Sequence, residues 1–246
     1  MESRAKPRKR PSTRTQRYRV PLFLAVGLGT LAGCRFMADG QNIQGVRYFQ
    51  QGNVALAMQR FQQAASADPT NADALYNLAA VYHYRGIQVG DRDALYQAEV
   101  LYNQALDQNP NLADAYRGLA VLLTQTDRPD KAFTLLKNWV AASPQNADAR
   151  VELARLYDEY GDQQAAKQYL QEAVQHDPHN ARAWRALAAI REKENDYAQA
   201  LANYQRSYML QADPAVAERV AALSRMVGSS APAGTRTVAV PSMPRY

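Results

Sequence analysis

The chain lacks most of what marks a cross-linked or catalytic protein. Of its 246 residues only one is cysteine, so no disulfide can form within it. Three are histidine: His83, His176 and His179. The last two flank Pro178 with no third ligand beside them, whereas a protein zinc site takes three or four. There is no G-x-x-x-x-G-K-[ST] loop, no H-E-x-x-H and no G-x-S-x-G, so neither an enzymatic activity nor a cofactor nor a metal is expected. Asp158, Glu159 and Asp162 cluster at one helix end, where a solvated surface explains them better than paired catalytic carboxylates. Glycine and proline are scarce at 12 each and 47% of the residues are hydrophobic, which excludes a collagen-like or wholly unfolded chain.

Positive charge is also scarce once its position is taken into account. The formal charge is +6, yet residues 1–19 hold eight basic residues against the single acid Glu2. From residue 20 onward 21 basic residues face 22 acidic ones. The basic excess belongs to the N-terminus, and a nucleic-acid partner loses its main support.

Val20 to Gly33, VPLFLAVGLGTLAG, follows the basic segment and ends at the lone cysteine, Cys34. Fourteen uncharged residues are short for a transmembrane helix, which needs about 20, and fit the hydrophobic region of a signal peptide. The boundary Leu31-Ala32-Gly33-Cys34 resembles the lipobox of bacterial lipoproteins. That resemblance implies a signal peptide over 1–33, cleavage before Cys34, and diacylglyceryl transfer to its sulfur. It implies a lipidated N-terminus and linker over 34–40, facing the periplasm from a membrane of the bacterial envelope. By the same resemblance Arg35, in place of aspartate, favours outer-membrane sorting; inner or outer membrane stays open. An uncleaved signal anchor in the inner membrane is the alternative.

Prolines mark a period in the middle of the chain. Pro69, Pro110, Pro144 and Pro178 close the phrases SADPTN, DQNPNL, AASPQN and QHDPHN, separated by 41, 34 and 34 residues. Counting back from Pro69 places Gly45, Tyr48, Gly52, Ala57, Phe61 and Ala64 at positions 8, 11, 15, 20, 24 and 27. Counting from Pro178 gives Ala154, Tyr157, Gly161, Ala166, Leu170 and Ala173 at the same places. Small residues there let two antiparallel helices approach, while large ones three and four apart fill the seam. Glycine at 15 suits a left-handed helix end, and proline at 32 stops the second helix. A 34-residue period of this kind points to a helical solenoid.

The pattern resembles the tetratricopeptide repeat (TPR), over about residues 38–212. The resemblance implies an all-α, right-handed superhelical solenoid of about five helix-turn-helix repeats. Two departures stand out, and a further helix follows the repeats. Between Gly86 and Ala98 lie seven extra residues, IQVGDRD, expected to lengthen the turn of unit two. Trp139 occupies the usually small position 27 of unit three, so packing must open there. After Asp213, a candidate N-cap, Pro214 to Val227 carries the apolar stripe Val216, Val220, Leu223 and Val227, fitting a capping helix. The solenoid with its cap therefore spans 41–227, and the Gly-, Ser- and Pro-rich 228–246 is expected to be a disordered tail.

In the repeat family the first helix of each unit lines the concave side, and positions 2, 5, 9, 12 and 13 face a ligand. Carried over, they give an aromatic group, Tyr76, His83 and Tyr84, and a basic strip, Arg117, Arg155, Arg182 and Arg185. Tyrosine and arginine are favoured interface residues, and a protein or peptide ligand in the groove is the expected partner. Tyr48, Tyr82, Tyr102 and Tyr157 fall at packing positions. The chaperone-binding subtype is not suggested, because Asn42, Val46, Asp114 and Gly118 replace its carboxylate-gripping set and only Asn77 matches. The resemblance extends to envelope TPR lipoproteins that assist assembly of pili and secretion channels, with an accessory subunit of a cell-wall enzyme as the alternative.

Overall fold

The computed structural model describes the backbone of residues 23–230 and the side chains of 36–228. Its eleven helices, with no strand among the described residues, pair in chain order. Unit one is α1 (Phe23–Gln50) with α2 (Val54–Ala67), and unit two is α3 (Ala72–Val89) with α4 (Arg92–Gln108). Unit three is α5 (Ala113–Gln125) with α6 (Pro129–Ala142), and unit four is α7 (Ala147–Glu159) with α8 (Gln163–His176). Unit five is α9 (Ala181–Lys193) with α10 (Tyr197–Leu210), and α11 (Pro214–Ser230) closes the stack. The all-α repeat solenoid read from the sequence is the fold.

Local chemistry sets the helix boundaries. Asn71, Asn146 and Asn180, at the end of three of the four proline phrases, cap α3, α7 and α9 by accepting from backbone amides two or three residues on. Asp91, Asp162 and Asp196 cap α4, α8 and α10 in the same way. Each cap of a second helix follows a residue with left-handed backbone: Gly90 (φ +68°), Gly161 (+84°) and Asn195 (+63°). Asparagine tolerates that region through its short polar side chain.

The seven-residue insertion corrects one expectation. It lengthens the helices of unit two, and the turn shrinks to Gly90 and Asp91. Helices α3 and α4 have 18 and 17 residues where α5 and α6 have 13 and 14. Seven residues are about two helical turns, so each helix gains roughly one turn and keeps its buried face in register. Ile87, Gln88 and Val89 contain no helix breaker, and the first residue suited to a left-handed bend is Gly90. Gly86, at the family's turn position, instead lies in the last turn of α3, where a Cβ would come within 2.6 Å of Leu95.

The core is made of four clusters of buried residues spaced along the stack. Fully buried alanines at positions 20 and 27, Ala57, Ala64, Ala98, Ala105, Ala166 and Ala173, let the helices close on one another. Tyr48, Tyr82, Tyr102 and Tyr157 all pack into it, as their positions suggested. Trp139 is accommodated by stacking on Tyr116, ring centroids 4.0 Å apart and planes 7° from parallel. Accordingly α5 and α6 pack less closely than α7 and α8. In the final helix Val216 and Leu223 are buried and Val220 packs beside them, so α11 covers the end of the core.

At the N-terminus α1 runs unbroken through residues 34–40, and Ala38 is already buried. The side chain of Cys34 and residues 1–22 lie outside the described residues, as do 231–246 of the expected tail. No described helix is long and apolar enough to cross a membrane.

Candidate functional site

The first helices form one face of the solenoid: α1 touches α3, α3 touches α5, α5 touches α7 and α7 touches α9. Side chains along this face interlock with a 35-residue offset, joining neighbouring units. Asn77 Nδ2 donates to Asn42 Oδ1 at 2.9 Å, Arg117 Nη2 to Glu152 Oε1 at 2.7 Å, and Lys193 Nζ to both Asp158 oxygens at 2.7 Å. One repeat plus one residue therefore separates partners in space.

The aromatic group divides in two. Tyr76 is half-buried against Tyr102, with ring centroids 6.1 Å apart. Its hydroxyl pKa is raised by burial and by Asp114, with Arg117 opposing. His83 is buried on the same Tyr102: Nδ1 lies 3.4 Å from the tyrosine hydroxyl and Nε2 lies 2.8 Å from Gln125 Oε1. Both ring nitrogens are thereby satisfied by a neutral imidazole, donating to Gln125 and accepting from Tyr102. Burial lowers the histidine pKa, against the opposing effect of the Gln125 hydrogen bond. Tyr84 points elsewhere. It is 46% exposed and meets Phe49 of α1 edge-to-face at 6.0 Å.

Phe49 was not singled out from the sequence, although it occupies position 12 of unit one, one of the family's ligand-facing positions. The added turn of α3 sets Ile87, also exposed, one helical turn beyond Tyr84. This end of the face is therefore apolar.

The four arginines of the basic strip come together around one cavity of about 400 Å³, which Val151, Glu152, Ala186 and Ala189 also line. Its centre is Glu152, with a side chain only 1% exposed. Arg117 reaches Oε1 with Nε at 3.0 Å and Nη2 at 2.7 Å, and Arg182 Nη2 bonds the same oxygen. Arg155 Nε reaches Oε2 at 3.4 Å. A buried carboxylate needs such compensation, since an isolated ion would lose its hydration with nothing in return. For the Arg117 guanidinium, burial acts downward on the pKa but the hydrogen bond and charge of Glu152 prevail, and the net shift is upward.

A second ring of acids stands further out. Asp114 pairs with Arg117 at 2.9 Å, Glu159 with Arg155 at 3.0 Å, Asp148 with Arg182 at 3.3 Å and Asp213 with Arg185 at 2.9 Å. The acidic cluster noted in the sequence has structural roles: Asp158 pairs with Lys193, Glu159 with Arg155, and Asp162 caps α8. Near Pro178, His176 Nδ1 lies 3.0 Å from Gln145 Oε1. Among the described residues no three potential ligands gather as a metal site would require.

Paired helices of fixed period, stacked so that their first members share a face, define a helical-repeat protein. Family models described as tetratricopeptide repeats match residues 45–86, 97–147 and 127–190, and the chain is a tetratricopeptide repeat protein. No curated protein matches it. Among solved structures it is similar to a thermophilic TPR protein of Thermus thermophilus, at 20% identity and TM-score 0.57, covering 76% of this chain and 98% of that one. PilF of Pseudomonas aeruginosa is also 20% identical, with TM-score 0.53 and coverage of 80% and 86%. The Cut9–Hcn1 assembly of the APC/C gives 18% identity and TM-score 0.53 over 85% of this chain and 43% of that one. At these identities the likeness is one of fold.

Proposed function

We propose that this protein is a lipid-anchored interaction scaffold of the bacterial cell envelope, holding a segment of another protein on the face formed by its first helices. The carrying observation is the composition of that face. An apolar end with Phe49, Tyr84 and Ile87 and a cavity lined by four arginines offer an anchor and a charge on one surface. A helix or extended segment laid in the groove would meet both. Reversing the charge of Arg185, which lines the cavity but makes no contact with buried Glu152, should weaken capture of that partner while the chain stays folded, and unchanged affinity would count against the groove.

Anchoring rests on the basic N-terminus, the apolar run and the LAGC boundary. Two or more acyl chains on Cys34 would hold the protein stably, where one would be marginal. Replacing Cys34 with serine should abolish incorporation of a labelled fatty acid and release the chain from the membrane fraction. Unchanged processing and retention would contradict the lipoprotein assignment. A role in assembling a pilus or secretion complex is the service this reading favours, through the resemblance to envelope TPR lipoproteins.

A further inference from the structure

The arginine cavity carries more than a general affinity for protein. We infer that it is a subsite for one acidic side chain, aspartate or glutamate, of the segment that occupies the groove; this rests on the groove reading above.

Four guanidinium groups line the cavity and a single carboxylate, Glu152, stands among them. Glu152 is buried beneath three of the arginines and cannot leave, so it holds Arg117, Arg155 and Arg182 in place before any ligand arrives. Side chains already immobilised lose less freedom on binding than free ones. The outer acids are of another kind. Asp114 and Glu159 have side chains 52% and 48% exposed, and exposed ion pairs of this sort are worth about 0–1 kcal/mol. They can turn to water when a ligand carboxylate takes their place.

Two details give the subsite its shape. Arg182 and Arg185, with side chains 33% and 50% exposed, present guanidinium N–H groups that a carboxylate entering the cavity can reach. Val151, Ala186 and Ala189 are the small apolar part of the lining, suited to the methylene groups that carry the acid. Counting the outer ring, four arginines meet Glu152, Asp114, Asp148, Glu159 and Asp213. The five acids outnumber the four arginines by one, so an entering carboxylate must exchange one for one with an outer acid that turns to water, and a dianionic phosphate would bring more negative charge than that exchange releases.

The test is selection of a random twelve-residue phage-displayed peptide library on the full-length chain, followed by affinity measurement on the enriched peptides. The expected set carries Asp or Glu at one shared position beside an aliphatic residue. Changing that acid to its amide should weaken binding to the wild-type chain at least tenfold. The same change should matter less than threefold in Arg185→Gln, which touches no part of the Glu152 cluster and keeps the unfolding midpoint. Arg155→Gln should behave alike where it folds normally. Neutral peptides that crosslink to the first helices would overturn the acidic subsite and leave the groove standing. So would an equal penalty for the amide on wild type and variant. Peptides that crosslink only to second helices, or failure to enrich any peptide, would overturn both.

Discussion

Arg117, on the first helix of unit three, donates twice to a single oxygen of Glu152 on the first helix of unit four, from Nε at 3.0 Å and Nη2 at 2.7 Å. The contact joins two repeats through a carboxylate that water does not reach. Three arginines depend on that carboxylate. Removing one member of a buried ion cluster leaves the rest with uncompensated charge, at a cost of about 3–5 kcal/mol where burial is complete. Here the arginines are about one-third exposed and can be rehydrated, so Glu152→Gln is expected to lose about 2–3 kcal/mol in chemical denaturation. A loss below about 0.5 kcal/mol would show that the cluster does not tie units three and four together.

Trp139 should be among the most costly single truncations. It is fully buried, stacks on Tyr116 and fills a place where the other units have alanine or serine. Trp139→Ala would leave an indole-sized void between helices already set apart, with an expected loss of about 3–5 kcal/mol. Urea denaturation followed by circular dichroism reads this directly.

Deleting residues 87–93 tests how the insertion is built in. Removal of seven residues takes about one turn from each of α3 and α4 and returns Gly86 to the turn position held by Gly52 and Gly161. The deletion chain is expected to remain helical and to unfold cooperatively. Loss of cooperativity would mean that the longer hairpin is structurally required.

Stability should depend on His83 in mildly acidic solution. Burial depresses its pKa in the folded state, below the ordinary value of about 6.5 that it has when unfolded. Above pH 6.5 both states hold a neutral ring and there is no effect. As pH falls below that value the unfolded chain takes up the proton first, so stability declines until the folded-state pKa is passed. In His83→Gln the denaturation midpoint should fall less steeply between pH 6.5 and 5 than in the wild-type chain.

The repeats were legible because their signals are redundant: the proline phrases, the small residues at fixed positions and the aromatic seam all give one register. The insertion was misplaced because counting from Gly86 assumed that a turn must follow it. The doublet Gly90-Asp91 carries the better signal, a residue fit for left-handed backbone followed by a cap, as in Gly161-Asp162 and Asn195-Asp196. The arginines were found one unit at a time, and Glu152 was missed because position 6 is not a ligand-facing place in the family. Its role follows from the 35-residue offset, which pairs Asn42 with Asn77 and Asp158 with Lys193 as it pairs Arg117 with Glu152. His83 presents the converse. Its position suggested a ligand contact, and packing against Tyr102 withdraws it from the surface.

Site-specific photocrosslinking in living cells tests most directly whether the first helices form the binding face. A photoreactive amino acid would be placed at Tyr84 and Ala189 on α3 and α9, and at Asn103 and Gln168 on the second helices α4 and α8. One shared partner is expected to crosslink from Tyr84 and Ala189, and none from Asn103 or Gln168. Crosslinks confined to Asn103 and Gln168 would contradict that expectation.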